Sequence, residues 1–115
     1  MTQKGDLLFA KHILDSINAI LDFSKEMTIE ELRTNRLKQT AIVRETEIIG
    51  EAAKNISEET KKKHPEVEWK GIIGTRDKMI HHYFGVDISV VWSIITENLP
   101  LLKEQILKIE KEITI

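Results

Sequence analysis

Arg76, His81 and Tyr83 fall close together in the stretch TRDKMIHHYFGVD, residues 75–87. An arginine carries a permanent charge in a planar fork that matches the oxygens of a phosphate or carboxylate. An imidazole exchanges protons near neutral pH, which is what phosphodiester cleavage needs. A helix C-terminus and Asp77, four residues earlier, would both favour protonated His81. These residue types suit a place where an anion is held and a proton is moved.

Arg76 stands out because of its helical phase. With Ile72 set at zero and about 100° per residue, Arg76 falls at about 40°, between Met79 at about −20° and Ile80 at about 80°. Trp69, at about 60°, and Tyr83, at about 20°, share this apolar arc. A charge aimed into such an arc needs a counter-charge, because burying it unpaired costs on the order of several kcal/mol. Two readings stay open. Arg76 pairs internally with Glu45, near the centre of the arc of Ala41, Ile48, Ile49 and Ala52, or with Glu51, at that arc's edge beside Gly50. Alternatively, it holds an anionic ligand such as a phosphate. On a regular helix Arg76 and His81 stand about 140° apart. One substrate reaches both only through the long arginine side chain, a distorted last turn, or a second copy of the helix across a two-fold axis.

The other candidates are weaker. His81 and His82 with Asp77 make a poor metal set, since adjacent histidines point to opposite sides of a helix and no second carboxylate–histidine motif follows. No metal and no cofactor are expected. His64, before Pro65, reads as a solvated loop residue, and His12 as a polar-face residue. Lys61, Lys62 and Lys63 read as a solvated turn. Trp69 and Trp92 read as core aromatics, and at 5% aromatic content no base-stacking surface is evident.

The elements that must position these residues are helical, because 3.6-residue periodicity runs through most of the chain. Asp6 is placed to cap a first helix reaching about Glu26. Thr28 and Glu31 form a capping box for a second helical stretch, with a break near Asn35, continuing through Ile56. Pro65 suits the first turn of a short helix. A third long helix carries Trp69, Ile72, Met79, Tyr83 and Phe84. Gly85 offers the left-handed conformation that ends it, and Asp87 caps the last helix, which Pro100 kinks or splits after Leu99. The expected fold is all-α, an up-and-down four-helix bundle with short extra helical segments.

The bulk composition agrees with this. The 115 residues form one domain, 1–115, and are 41% hydrophobic and 31% charged. Without cysteine there are no disulfides or thiolate metal sites, and a reducing cytoplasm is the expected location. No apolar run is long enough for a membrane span. A net charge of −2 argues against nucleic-acid binding by bulk attraction, so no DNA partner is expected and any RNA contact must be local.

Arg76-Asp77-x-x-x-His81 resembles the R-x4-6-H motif of the HEPN superfamily. With Tyr83 it gives R-x4-H-x-Y, which is similar to the HepT family of toxin-type ribonucleases. IIGEAAKNIS, HPEVEWKGIIGTRDK, HHYFGVDISVVW and NLPLL follow in the order and spacing of HepT-like chains, over essentially the whole sequence. The resemblance implies a HEPN bundle that forms a homodimer with both motifs in one cleft. It implies a metal-independent endoribonuclease that uses the ribose 2′-hydroxyl as nucleophile. Carried over, Arg76 would hold the scissile phosphate, His81 would act in general acid/base catalysis, and Asp77 would orient the pair. The partner implied is an MntA-like minimal nucleotidyltransferase antitoxin of a type VII-like toxin–antitoxin pair, with Tyr83 accepting AMP groups that silence the nuclease. The family departures are Asp77 in place of Asn, His82 in place of a small or polar residue, and Thr46 in place of leucine. A non-catalytic HEPN partner of a nucleotidyltransferase, or a scaffold with Arg76 in a structural salt bridge, are the alternatives.

Overall fold

The computed structural model describes residues 3–81 and 85–114, apart from the side chains of Gln3, Lys4 and His81. The first rod is α1 (Gln3–Phe23), which buries Ala10, Ile13, Leu14, Ile17 and Ile20, the spacing of one helical side. Asp6 lies inside this helix and does not cap it. It is fully buried and accepts hydrogen bonds from the Ser57 N–H (2.8 Å), the Ser57 hydroxyl (2.6 Å) and the Thr60 hydroxyl (2.5 Å). Asp6 thus anchors the start of a different helix, fifty-one residues on.

One cap and one break lie where the sequence places them. Thr28 Oγ1 accepts from the Glu31 N–H and opens α2 (Ile29–Thr34). Asn35 ends α2 and starts α3 (Arg36–Asn55), its side chain accepting from the Lys38 N–H at 2.9 Å. The buried side of α3 is rotated from the expected arc: Ile42, Val43, Thr46, Ile49, Gly50, Ala52 and Ala53 are buried, so Ile49 and Ala52 face the core as expected, whereas Ala41 and Ile48 are half-buried. Ser57 caps α4 (Glu58–Lys63). Pro65 falls in the turn after α4, not in a first helical turn. His64 ends α4 at φ −127° and ψ 63°, as a residue ahead of proline avoids helical angles.

The expected third long helix is broken. It consists of α5 (Trp69–Ile73) and α6 (Thr75–Met79), joined at Gly74. At the joint the Thr75 hydroxyl donates to the Gly71 carbonyl at 2.6 Å, and the Asp77 N–H reaches back only three residues, to Gly74. After Met79 the chain is extended. β1 (Ile80–His81) pairs antiparallel with β2 (Gly85–Val86), Ile80 opposite Val86 and His81 opposite Gly85. Gly85 does take a positive φ, +84°, but it serves this small ladder and does not end a helix. Tyr83 and Phe84, expected on the third helix, lie outside the described residues.

Asp87 caps α7 (Ile88–Ser93), accepting from the Val90 N–H. The helix then widens into a π-helical turn (Ile94–Asn98) before α8 (Leu99–Thr114). The Leu99 N–H bonds to the Ile94 carbonyl, five residues back. Pro100 has no N–H to give and its ring crowds the carbonyl four residues earlier, so a wider turn relieves both problems. The split expected at Pro100 therefore takes this form, just ahead of the proline.

α1 packs against α3 and α8, α3 also meets α5 and α6, and α7 touches α2 and α6. The four rods are α1, α2–α3, α5–α6 and α7–α8, around one core of mainly Ile, Leu, Val and Ala side chains. The fold is all-α, with the two-residue ladder as its sole strand pairing among the described residues. No described helix is long and apolar enough to cross a membrane.

Candidate functional site

Arg76 lies on α6 and is half exposed, not buried in an apolar arc. The break at Gly74 turns α6 relative to α5, so a phase counted from Ile72 does not carry through to residue 76. Met79, three residues on, is the α6 side chain that enters the core. Arg76 Nε donates to Glu47 Oε2 on α3 at 2.6 Å, the side chains being 52% and 32% exposed.

The carboxylate is therefore neither Glu45 nor Glu51. Glu47 stands three residues before Gly50, and at Gly50 the backbone of α3 packs close against the third rod. A Cβ built there would sit 3.4 Å from the Ile73 carbonyl oxygen and 3.5 Å from that of Ile72. The edge of α3 beside that approach is the edge Glu47 occupies. Glu45 is about 160° away around the helix. It is half-buried beside Ala41 and Ile48, residues that do not mark the centre of the packed face. Glu51 is on Glu47's side but about 6 Å further along the axis, level with α5. It is exposed.

Asp77 follows on α6, also exposed, in the helix's first turn. The relation of Asp77 to His81 by one helical turn does not apply, because α6 ends at Met79 and His81 belongs to β1. For the same reason the 140° separation of Arg76 and His81 on a regular helix no longer describes the chain. His82 and Tyr83 lie outside the described residues.

A cavity of about 690 Å³ opens between α3, α5, α7 and α8. Ile49, Ile72, Val90 and Leu102 form its apolar walls, and Thr75 and Lys78 line it from α6. Arg76 and Glu47 do not line it. Thr46 does, its buried hydroxyl donating to the Ile42 carbonyl at 2.8 Å.

One polar cluster was not foreseen from sequence. His64 is buried, 6% exposed, where a solvated loop residue is expected. Its Nδ1 is 3.1 Å from Glu66 Oε2 and its Nε2 2.8 Å from Glu112 Oε2. Carboxylates only accept, so the ring satisfies both contacts when both nitrogens carry protons. The His64 carbonyl also accepts from the Trp69 indole at 3.0 Å. The Glu66 carboxyl is held below the usual glutamate range, first by its own backbone N–H and then by the His64 ring. No motif announces this cluster, since Glu112 reaches it from the far end of the chain. Among the described residues, no group of three or more His, Cys, Asp or Glu is placed to hold a metal ion.

Comparison with known proteins bears on the chain as a whole. The family model described as "Ribonuclease HepT-like" matches residues 13–109. A "Putative RNase" of Methanocaldococcus jannaschii is 39% identical over 98% of this chain and 93% of its own length. The "Probable ribonuclease HepT" of Thermococcus cleftensis is 40% identical over 90% of this chain and 94% of its own. A "Putative RNase" of Caldanaerobacter subterraneus is 39% identical, with 88% and 90% covered. No solved structure matches.

Proposed function

The chain belongs to the HepT-like ribonuclease family, and from that premise we propose that it is a metal-independent endoribonuclease, the toxin of a cytoplasmic toxin–antitoxin pair. The observation that carries this reading is an exposed Arg76 within an Arg-x4-His-x-Tyr run that the family match spans. Only Nε of its guanidinium is engaged among the described residues, so the terminal fork is open to a phosphate.

In this reading the Arg76 fork grips the two non-bridging oxygens of the scissile phosphate and neutralises the charge that builds on them. The ribose O2′ loses its proton and bonds to phosphorus, while the P–O5′ bond breaks and O5′ takes a proton. The products are a 2′,3′-cyclic phosphate and a 5′-hydroxyl. His81 transfers a proton in this exchange and Asp77 orients the pair. Two copies of the chain bring two motifs to one cleft. A nucleotidyltransferase antitoxin places AMP on Tyr83, and the added anion blocks RNA by occlusion and repulsion.

The experiment is cleavage of RNA by purified protein in excess chelator. Wild type cuts and His81→Ala does not; undiminished cleavage by that variant overturns the proposal. A second reading draws on the same ion pair. Arg76 and Glu47 meet within the chain itself, as a structural tie would in a non-catalytic partner of a nucleotidyltransferase. In that case wild type cuts no RNA and Arg76→Met changes stability alone.

A further inference from the structure

We propose that Glu47 is the positioning residue for Arg76, holding one edge of the guanidinium so that the other edge meets phosphate in a fixed orientation. The inference rests on the ribonuclease reading above for its consequence, but on geometry for its premise. A guanidinium has one Nε–H and four terminal N–H groups, and its flat shape means that fixing Nε fixes the plane of the rest. Glu47 takes Nε at 2.6 Å and, among the described residues, leaves the terminal groups without an acceptor. An arginine bound through its fork would be spent, because the fork is the part that matches two phosphate oxygens. Bound through Nε it is aimed.

The surroundings support an aiming role. Arg76 is on a five-residue helix between a break at Gly74 and an extended segment beginning at Ile80. So short a helix orients a long side chain poorly by itself. Glu47 is on α3, a twenty-residue helix packed against α1, α5 and α6. Its side chain is the less exposed of the two. A rigid element therefore dictates the direction of a charge carried on a small one. The close approach at Gly50, one turn away, keeps the two elements near enough for the bond. Glu47 acts through Arg76 and needs no contact with RNA.

The test compares Glu47→Ala, Glu47→Gln, Arg76→Ala and the double variant E47A/R76A. Two measurements are made: steady-state RNA cleavage, and the Arg76 Nε–H resonance, assigned by its loss in R76A. Glu47→Ala should lower kcat by about 100-fold, the scale of a misplaced catalytic group, with KM little changed. Glu47→Gln keeps an acceptor oxygen at the same reach and should recover most of that loss. The double variant should be no worse than R76A alone. The Nε–H signal should be sharp in wild type and E47Q, and broadened by solvent exchange in E47A.

Full activity in E47A overturns the proposal, and so does a further loss when E47A is added to R76A. Equal inactivity of E47Q and E47A, with the acid limb of the pH–rate profile flattened, means that Glu47 itself takes a proton, which also overturns it. If wild type cleaves no RNA, the ribonuclease reading falls and the resonance decides alone. A signal unchanged in E47A then removes the positioning claim, and one broadened in E47A but sharp in E47Q sustains it.

Discussion

His64 Nε2 lies 2.8 Å from Glu112 Oε2, joining the turn after α4 to the last helical turns of α8. The histidine is buried and the carboxylate is half exposed, so the contact seals the end of the bundle where the C-terminal helix would otherwise fray. Replacing Glu112 by Gln should cost about 1 kcal/mol, a value kept low because the carboxylate is wet. His64→Ala should cost more, about 2 kcal/mol, since it also opens a gap beside Ile109 and Ile113. Urea unfolding of both variants checks the order.

Asp6 makes stability sensitive to acid. Burial works to raise its pKa, but hydrogen bonds from the Ser57 hydroxyl, the Thr60 hydroxyl and the Ser57 N–H prevail, and the net shift is downward. A carboxyl whose folded pKa is depressed stabilises the fold fully above its unfolded value, and that contribution is lost as pH falls through the folded value. Wild type should therefore lose stability as pH drops below the ordinary aspartate value of 3.8. Asp6→Asn should start lower, by about 2 kcal/mol, and show a flatter acid dependence. Urea midpoints between neutral and acidic pH measure both effects.

Gly50 sets the distance between α3 and the third rod. Alanine there places its Cβ at ordinary contact with the Ile73 carbonyl oxygen, 3.4 Å, and should be tolerated. Leucine has no such room, and forcing the helices apart should cost about 1–3 kcal/mol. It should also separate Glu47 from Arg76, so RNA cleavage should fall in Gly50→Leu more than stability alone explains. Activity measured well below the unfolding midpoint separates the two effects.

Regulation at Tyr83 has a direct chemical readout. Co-expression with a neighbouring nucleotidyltransferase, ATP and Mg²⁺ should add the mass of AMP to the tryptic peptide that contains Tyr83, and Tyr83→Phe should abolish the addition. An unmodified peptide in the presence of an active partner removes the regulatory proposal.

The sequence exposes what is governed locally. The caps at Thr28 and Asp87 depend on one side chain and a backbone three residues away, and both form. The sequence points to an anionic counterpart for Arg76 through a burial that the residue does not have, and neither Glu45 nor Glu51 is the carboxylate it meets. That choice depended on the rotation of α3, and Ala41 and Ile48 are apolar without being central to its packed face. The joint at Gly74 escaped because Trp69, Ile72, Met79 and Ile80 keep a helical rhythm across it. His64 escaped for a different reason. Its burial is created by α8 folding back over the turn, and nothing near His64 in sequence records that contact.

His81 sits beyond the end of α6, in a strand opposite Gly85. On a helix, one residue more or less between Arg76 and a following histidine would swing that histidine by about 100° around the axis. On an extended segment that follows the helix, the same insertion shifts the register opposite Gly85 and reverses the face that the histidine presents. The spacing between Arg76 and His81 is thus set by a helix end and a two-residue ladder together, not by one helical turn.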